Sequence, residues 1–293
     1  MIEGVRGPIR HRQAQETVAE RNKMLHRPGS RLLEDQVAIV SGVGSGLGRS
    51  IAMLLASEGA SVVLAARDQS RLQGVEEEII ASGGRAISAP TDVSDPAQCE
   101  ALVARSVDEF GRLDVIVNNG HHQGDFTALE HSNVDTWDSV FAVNLYGPMR
   151  IIQAAIPIMR AQGSGRIVNV NSGAVISSKP TLGAYSASKA GLASITKTLA
   201  LELGCDGIRV NGIYVSSMYG DNVEQWGSGV AEAEGLTFDE WFERKCKAEF
   251  ATGTMPYPDE IAGVALFLSS DLSRTVTGQI VSANNGQWVE GNQ

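Results

Sequence analysis

Positive charge is in short supply in this 293-residue chain: 24 Lys+Arg stand against 34 Asp+Glu, a net charge of −10. Nucleic acid and anionic membrane surfaces are bound by basic proteins, so this balance argues against both as partners. Cysteine is scarce too. Cys99, Cys205 and Cys246 are odd in number, far apart and without a C-x-x-C pair. That excludes a disulfide framework and a zinc site, and it fits a reducing, cytoplasmic setting. No apolar run approaches the roughly 20 residues of a membrane span. The first residues lack the apolar core of a signal peptide. No internal repeat or low-complexity segment is found. What remains is 43% hydrophobic and 20% charged residues, the mix of an ordinary soluble globule with a sizeable core.

Residues 1–34 stand apart. They carry seven of the basic residues and four of the acidic ones, and few apolar side chains. Such a segment cannot build a core, so it reads as a tail, or as an arm that packs on an acidic neighbouring subunit. From Asp35 to Gln293 a regular alternation begins. Val37–Val40 is a continuous apolar run, as a buried parallel strand requires. Helix-period apolar spacing follows at Ile51, Leu54 and Leu55. Further strands are expected at 61–65, 85–90, 113–117, 165–171, 208–213 and 279–283. Helices are expected at 68–81, from Asp95-Pro96, at 133–160 with a break near Gly147-Pro148, at 184–203 and at 259–268. This pattern predicts one doubly wound parallel α/β sheet of about seven strands with helices on both faces.

The interval 215–255 breaks that rhythm and reads as a lid, because structureless loops of this length are uncommon. Thr237 to Glu240 form a capping box. Phe238, Trp241, Phe242, Cys246 and Phe250 then fall on one helical stripe, which either packs on the body or contacts a substrate. With Trp226, that stripe points to an apolar, bulky substrate.

Three side chains in 165–189 suit proton transfer. Ser172 ends an apolar strand, Tyr185 follows thirteen positions later, and Lys189 four after that. Positions i and i+4 share a helix face. A phenol titrates near pH 10, and a neighbouring ammonium favours phenolate. Lys189 is therefore expected to lower the Tyr185 pKa, with Ser172 holding the oxygen that Tyr185 serves. A Tyr-x-x-x-Lys pair alone is commonplace on helix surfaces.

Gly42, Gly46 and Gly48, with Ser45 and Leu47 between them, join the first strand to the first helix. Glycine allows the tight turn and lets backbone amides approach a pyrophosphate. The spacing G-x-x-x-G-x-G differs from the usual dinucleotide fingerprint. After the second strand, an acid that would bind a ribose 2′-hydroxyl is expected. Ala66-Arg67 stands there instead. A guanidinium suits a 2′-phosphate and favours NADP(H), while Asp68 keeps NAD(H) open. His121 and His122 read as loop residues, with pocket lining as the alternative and a metal role disfavoured. No metal site is expected.

Together, Ser41-Gly42-x-x-x-Gly46-x-Gly48, Asp92-Val93, Asn118-Asn119, Asn144, Ser172, Tyr185-x-x-x-Lys189 and Gly278-Gln279 resemble the short-chain dehydrogenase/reductase family across about residues 35–289. The resemblance implies a Rossmann-type fold and hydride transfer between NAD(P)(H) and a ketone or alcohol. It implies that Asp92 and Val93 contact adenine, and that Asn118 and Gly120 lie beside the adenosine ribose. Lys189 would hold the nicotinamide ribose, Val215 would lie on the nicotinamide side, and Asn144 would hold a water behind Lys189. It also implies a homodimer or homotetramer built through the helices after the fourth and fifth strands. Three motifs depart from the family: Gly120-His121, Val215-Ser216 and Asn284-Asn285-Gly286. The reading is an NADP(H)-dependent oxidoreductase with Asn144, Ser172, Tyr185 and Lys189 as catalytic residues. A catalytically silent dinucleotide sensor is the alternative from another class.

Overall fold

The computed structural model describes residues 31–289; residues 1–30, most of the expected arm, lie outside them. Seven strands form one sheet, all neighbours parallel, in the order β3-β2-β1-β4-β5-β6-β7. They are β1 (Val37–Ser41), β2 (Ser61–Ala66), β3 (Arg85–Pro90), β4 (Val115–Asn118), β5 (Gly165–Ser172), β6 (Ile208–Val215) and β7 (Ile280–Ala283). The early helices are α1 (Leu47–Ser57), α2 (Gln69–Ala81) and α3 (Pro96–Phe110). The middle ones are α4 (Trp137–Phe141), α5 (Gly147–Gln162) and α6 (Gly183–Leu203), and the last are α7 (Asp221–Ala233), α8 (Phe238–Glu249) and α9 (Pro258–Ser269).

Alternation along the strands divides the core. On one face Ala38 and Val40 of β1 pack with Ile51 and Leu55 of α1, Leu72 of α2 and Ile261 of α9. On the other, Ile39 packs with Leu102 of α3, Ile151 of α5 and Leu199 of α6. Both faces of the sheet are covered, which is why β1 is apolar at every position before Ser41. Each fully buried leucine or isoleucine contributes about 1.5–3 kcal/mol.

Caps fix the helix starts. Asp68 accepts from the Ser70 and Arg71 amides at 3.0 and 3.2 Å. Asp95 accepts from the Ala97 amide at 2.9 Å, with Pro96 at the first helical position. Thr237 and Glu240 make the expected reciprocal box before α8.

Two regions differ from expectation. The helix expected over 133–160 is instead a short 3-10 turn, α4, a π turn at Ala142–Tyr146, and then α5. Pro148 has no N–H to give the carbonyl four residues back. The chain widens just before it, and the Gly147 amide reaches five residues back to the Ala142 oxygen. In the 215–255 interval, α7 was not expected; it runs unbroken from Asp221 to Ala233 through Gly227 and Gly229, two residues of low helix propensity. Gly227 is where α8 comes closest, since a Cβ there would collide with the Trp241 ring.

Candidate active site

Strand order reverses between β1 and β4, and the turns that leave these two strands open a crevice at the carboxyl edge of the sheet. Asn118 pairs in register with Asn169 of β5, so Ser172 projects three residues further along. Ser172 in turn pairs with Val215 of β6. A cleft of about 1000 Å³ lies here. The residues expected to act lie together in its wall: Gly42, Ser45, Gly46, Leu47 and Gly48 on one side, Ser172, Tyr185, Lys189 and Val215 on the other. A smaller cavity of about 410 Å³ between α1, α2 and α9 shares no lining residue with it.

The glycine turn is tight for two separate reasons. Gly42 has φ 71°, and a Cβ there would collide with the Gly120 backbone. A Cβ on Gly48 would strike the Gly42 carbonyl. Asn119, part of the Asn118-Asn119 motif that carries the resemblance, donates from Nδ2 to that carbonyl at 2.9 Å and pins the turn to the end of β4. Gly46 is different: a Cβ there would meet no protein atom. It sits at the N-terminus of α1, which no side chain caps. Open space, bare amides and a helix N-terminus make a cradle that fits the pyrophosphate of a dinucleotide.

Asp68 spends its carboxylate on its own helix, capping α2 and pairing with Arg71 at 3.2 Å. Arg71, missed from the sequence, lines the cleft. Arg67 is exposed just beyond β2 and lies outside the cleft lining. Asp92 is held below the usual carboxylate range, chiefly by the Ser94 hydroxyl and amide, with the Arg67 charge adding to the effect. Val93, Asn118, Gly120 and Asn144 likewise stand behind the lining. Asn118 donates to Asn169 Oδ1 at 2.9 Å, and its own Oδ1 is buried without a partner.

The Lys189 side chain is almost completely buried, and its Nζ donates to the Val170 oxygen at 2.8 Å. Burial pulls its pKa down to about 8. The Tyr185 phenol is pushed above its ordinary value by burial, and the hydrogen-bonded Ser172 hydroxyl partly offsets that. The expectation that Lys189 lowers the phenol is therefore not met. The ammonium is turned to a backbone carbonyl, and Ser172 is the group that favours phenolate.

Asn144 is fully buried in the π turn, with its side chain committed. Its Oδ1 accepts from the His122 amide at 2.7 Å, while Nδ2 donates to the His122 oxygen at 2.8 Å and to Ser188 Oγ at 2.9 Å. Ser188 Oγ then donates to the Tyr185 oxygen of the main chain at 2.8 Å. Asn144 thus clamps the loop after β4 to the helix that carries Tyr185. Ser188 was legible only as the i+3 neighbour of Tyr185. Of the two histidines, His121 lines the cleft and His122 does not. Burial, and then the Lys189 charge, hold the His121 imidazole below its usual pKa, against a hydrogen bond to the Asn119 backbone.

The aromatic stripe does not reach the cleft. Phe238 stacks on Phe242 with centroids 5.6 Å apart, and Trp226 meets Trp241 edge-on at 5.2 Å. Cys246, Phe250 and Met255 form a separate small core. The stripe holds α7 and α8 together. What this interval turns toward the cleft is mixed: Met218, Tyr219, Val223 and Ala248 lie there beside Ser216, Ser217, Asp221, Asn222 and Glu249. The stripe from Phe238 to Phe250 is therefore not the surface that meets a substrate.

The comparisons with known proteins agree with this architecture. A family model described as enoyl-(acyl carrier protein) reductase matches residues 42–287. An uncharacterised oxidoreductase of Methylorubrum extorquens is 38% identical over 255 residues, 87% of this chain and 98% of the relative. D-beta-hydroxybutyrate dehydrogenase of Rhizobium meliloti is 33% identical over 258 residues, 87% and 98% of the two chains. Among solved structures, levodione reductase superposes with a TM-score of 0.79 at 31% identity, covering 87% of this chain and 98% of its own. The chain belongs to the short-chain dehydrogenase/reductase family, and it is an oxidoreductase of the kind that acts on alcohols and ketones. Among the described residues, no helix is long and apolar enough to cross a membrane.

Proposed function

We propose that the protein is an NADP(H)-dependent oxidoreductase that interconverts a ketone or aldehyde and an alcohol, with Tyr185 as general acid and base. The observation that carries this reading is the meeting of Ser172, Tyr185 and Lys189 in one cleft with the Gly42–Gly48 turn. A bound nicotinamide supplies or accepts the hydride. Tyr185, kept protonated by burial, is suited to give its proton to the emerging alkoxide. Ser172 donates to the same oxygen. Lys189 would hold a ribose hydroxyl pair of the dinucleotide, and its charge would favour the phenolate. Asn144 positions the helix rather than touching the reacting atoms. In the family's scheme it also supports a proton relay behind Lys189.

Gly46, the amides of α1 and Val215 would hold the dinucleotide, with Asp92, Val93, Asn118 and Gly120 around the adenosine. NADP(H) is favoured over NAD(H) because Arg67 is free to meet a 2′-phosphate while Asp68 is engaged in capping. The names of the relatives span D-beta-hydroxybutyrate and levodione, which supports the reaction class and leaves the substrate open. We further propose a small-molecule substrate, a cytoplasmic setting in keeping with three free cysteines, and a homodimer or homotetramer through α5 and α6. On α6, Leu201 is 85% exposed. A panel of ketones, aldehydes and alcohols, read by absorbance of NADPH and NADH, tests the function. Turnover with NADPH preferred is expected. Tight dinucleotide binding without turnover of any panel member would favour the sensor.

A further inference from the structure

We propose that Trp288 determines substrate specificity: its indole, packed on the residue after Ser172, carries an unpartnered N–H that serves as donor to a second, neutral oxygen of the substrate. This rests on the carbonyl–alcohol reading above.

The residues after β7 do not trail away. The Asn284 side chain turns the chain back, accepting from the Gly286 amide at 3.0 Å and donating to the Trp288 oxygen at 2.8 Å. Gln287 ties the same turn to the lid, accepting from the Ser217 amide at 3.2 Å and donating to Glu249 at 3.1 Å. The indole is thereby laid on Gly173, the residue after Ser172. The fit is so close that a Cβ on Gly173 would collide with the six-membered ring. Trp288 is part of the cleft wall.

Its Nε1 is buried and has no hydrogen-bond partner. Among the described residues four buried side-chain polar atoms share that condition, and Nε1 is the one nitrogen. Burying an indole N–H without a partner is unfavourable, and tryptophans normally find one. Nε1 is closed off from solvent, so an acceptor reaches it only once the indole turns toward the cleft, and it then gains a hydrogen bond at little desolvation cost. Ser172 and Tyr185 already serve the reacting oxygen. A donor displaced from them by one residue serves a different one. Glu249, bonded to the adjacent Gln287, makes this wall unfavourable for a carboxylate. A neutral carbonyl or ester oxygen near the reacting carbonyl, as in a β-keto ester, is the chemistry that fits.

The test compares methyl acetoacetate with 2-hexanone, its all-carbon counterpart, in wild type and Trp288→Phe. Phenylalanine keeps an aromatic wall and removes the N–H. The kcat/KM ratio of keto ester to ketone is expected to favour the keto ester in wild type and to fall about three- to tenfold in the variant, mostly through KM. Gly173→Ala, which displaces the indole, should shift the ratio the same way. An unchanged ratio, with both substrates losing equally or neither losing, would overturn the role of Trp288 while leaving the enzyme reading intact. Failure of wild type to turn over either carbonyl with either cofactor would instead count against both.

Discussion

Lys189 Nζ donates to the carbonyl oxygen of Val170 at 2.8 Å, with its side chain almost completely buried in the cleft wall. A lysine is an expensive way to satisfy one carbonyl. Burial brings its pKa down from 10.5 to about 8, so at neutral pH the folded chain holds a proton it would bind more tightly unfolded. The sign follows from linkage. Below about pH 8 the buried charge costs the fold its full penalty, and that penalty is relieved as pH rises from about 8 to 10.5. Lys189→Met should therefore raise stability at pH 7, on the order of 2 kcal/mol after loss of the hydrogen bond. The gain should shrink toward pH 10, and turnover should be abolished. Thermal melts of both proteins across pH 6–10 measure it. A variant less stable than wild type at pH 7 would contradict the cost assigned to the charge.

The glycines of the turn separate packing from binding. Gly42→Ala and Gly48→Ala force a side chain into backbone, so both should lower Tm and weaken dinucleotide binding. Gly46→Ala meets no protein atom and should cost much less stability, yet it should weaken NADPH binding tenfold or more by filling the cradle. Melts paired with fluorescence titrations distinguish the two classes. Equal binding by wild type and Gly46→Ala would place the pyrophosphate elsewhere.

Arg67 and Asp68 divide the cofactor choice. Arg67→Ala should weaken NADPH by about tenfold or more and leave NADH nearly unchanged, since a charge-assisted contact to phosphate is worth about 1.5–3 kcal/mol. Titrations with both dinucleotides measure it, and equal losses would remove the basis for NADP(H).

Asn144 joins the His122 backbone to Ser188, and its replacement leaves buried groups unpaired. Asn144→Ala should cost about 1–3 kcal/mol of stability and lower kcat more than it weakens cofactor binding. Unaltered stability would show that the clamp carries no load.

The strands were legible because each is a short apolar run between turn signals, and β3 runs from Arg85 to Pro90 as expected. Helix starts at Asp68, Asp95 and Thr237 were legible because capping is local chemistry. Other features depend on distant residues. The π turn reflects Pro148 together with the packing of Gly147 on Val93. The aromatic stripe from Phe238 to Phe250 announced a buried face without saying what would bury it, and the occupant is α7. Near the cleft, the sequence order of Ser172, Tyr185 and Lys189 was readable. The turning of Lys189 to Val170 was not, because it depends on where β5 ends beneath α6. His121 and Trp288 came into the wall through loop paths that no periodicity encodes.

The most direct measurement is turnover and NADPH binding of Tyr185→Phe side by side. The variant should bind NADPH within about threefold of wild type while losing a thousandfold or more of kcat, the scale of a positioned general acid together with its charge stabilisation. Retention of wild-type turnover by the phenylalanine variant would contradict proton transfer through this residue and, with it, the reading of the whole cleft.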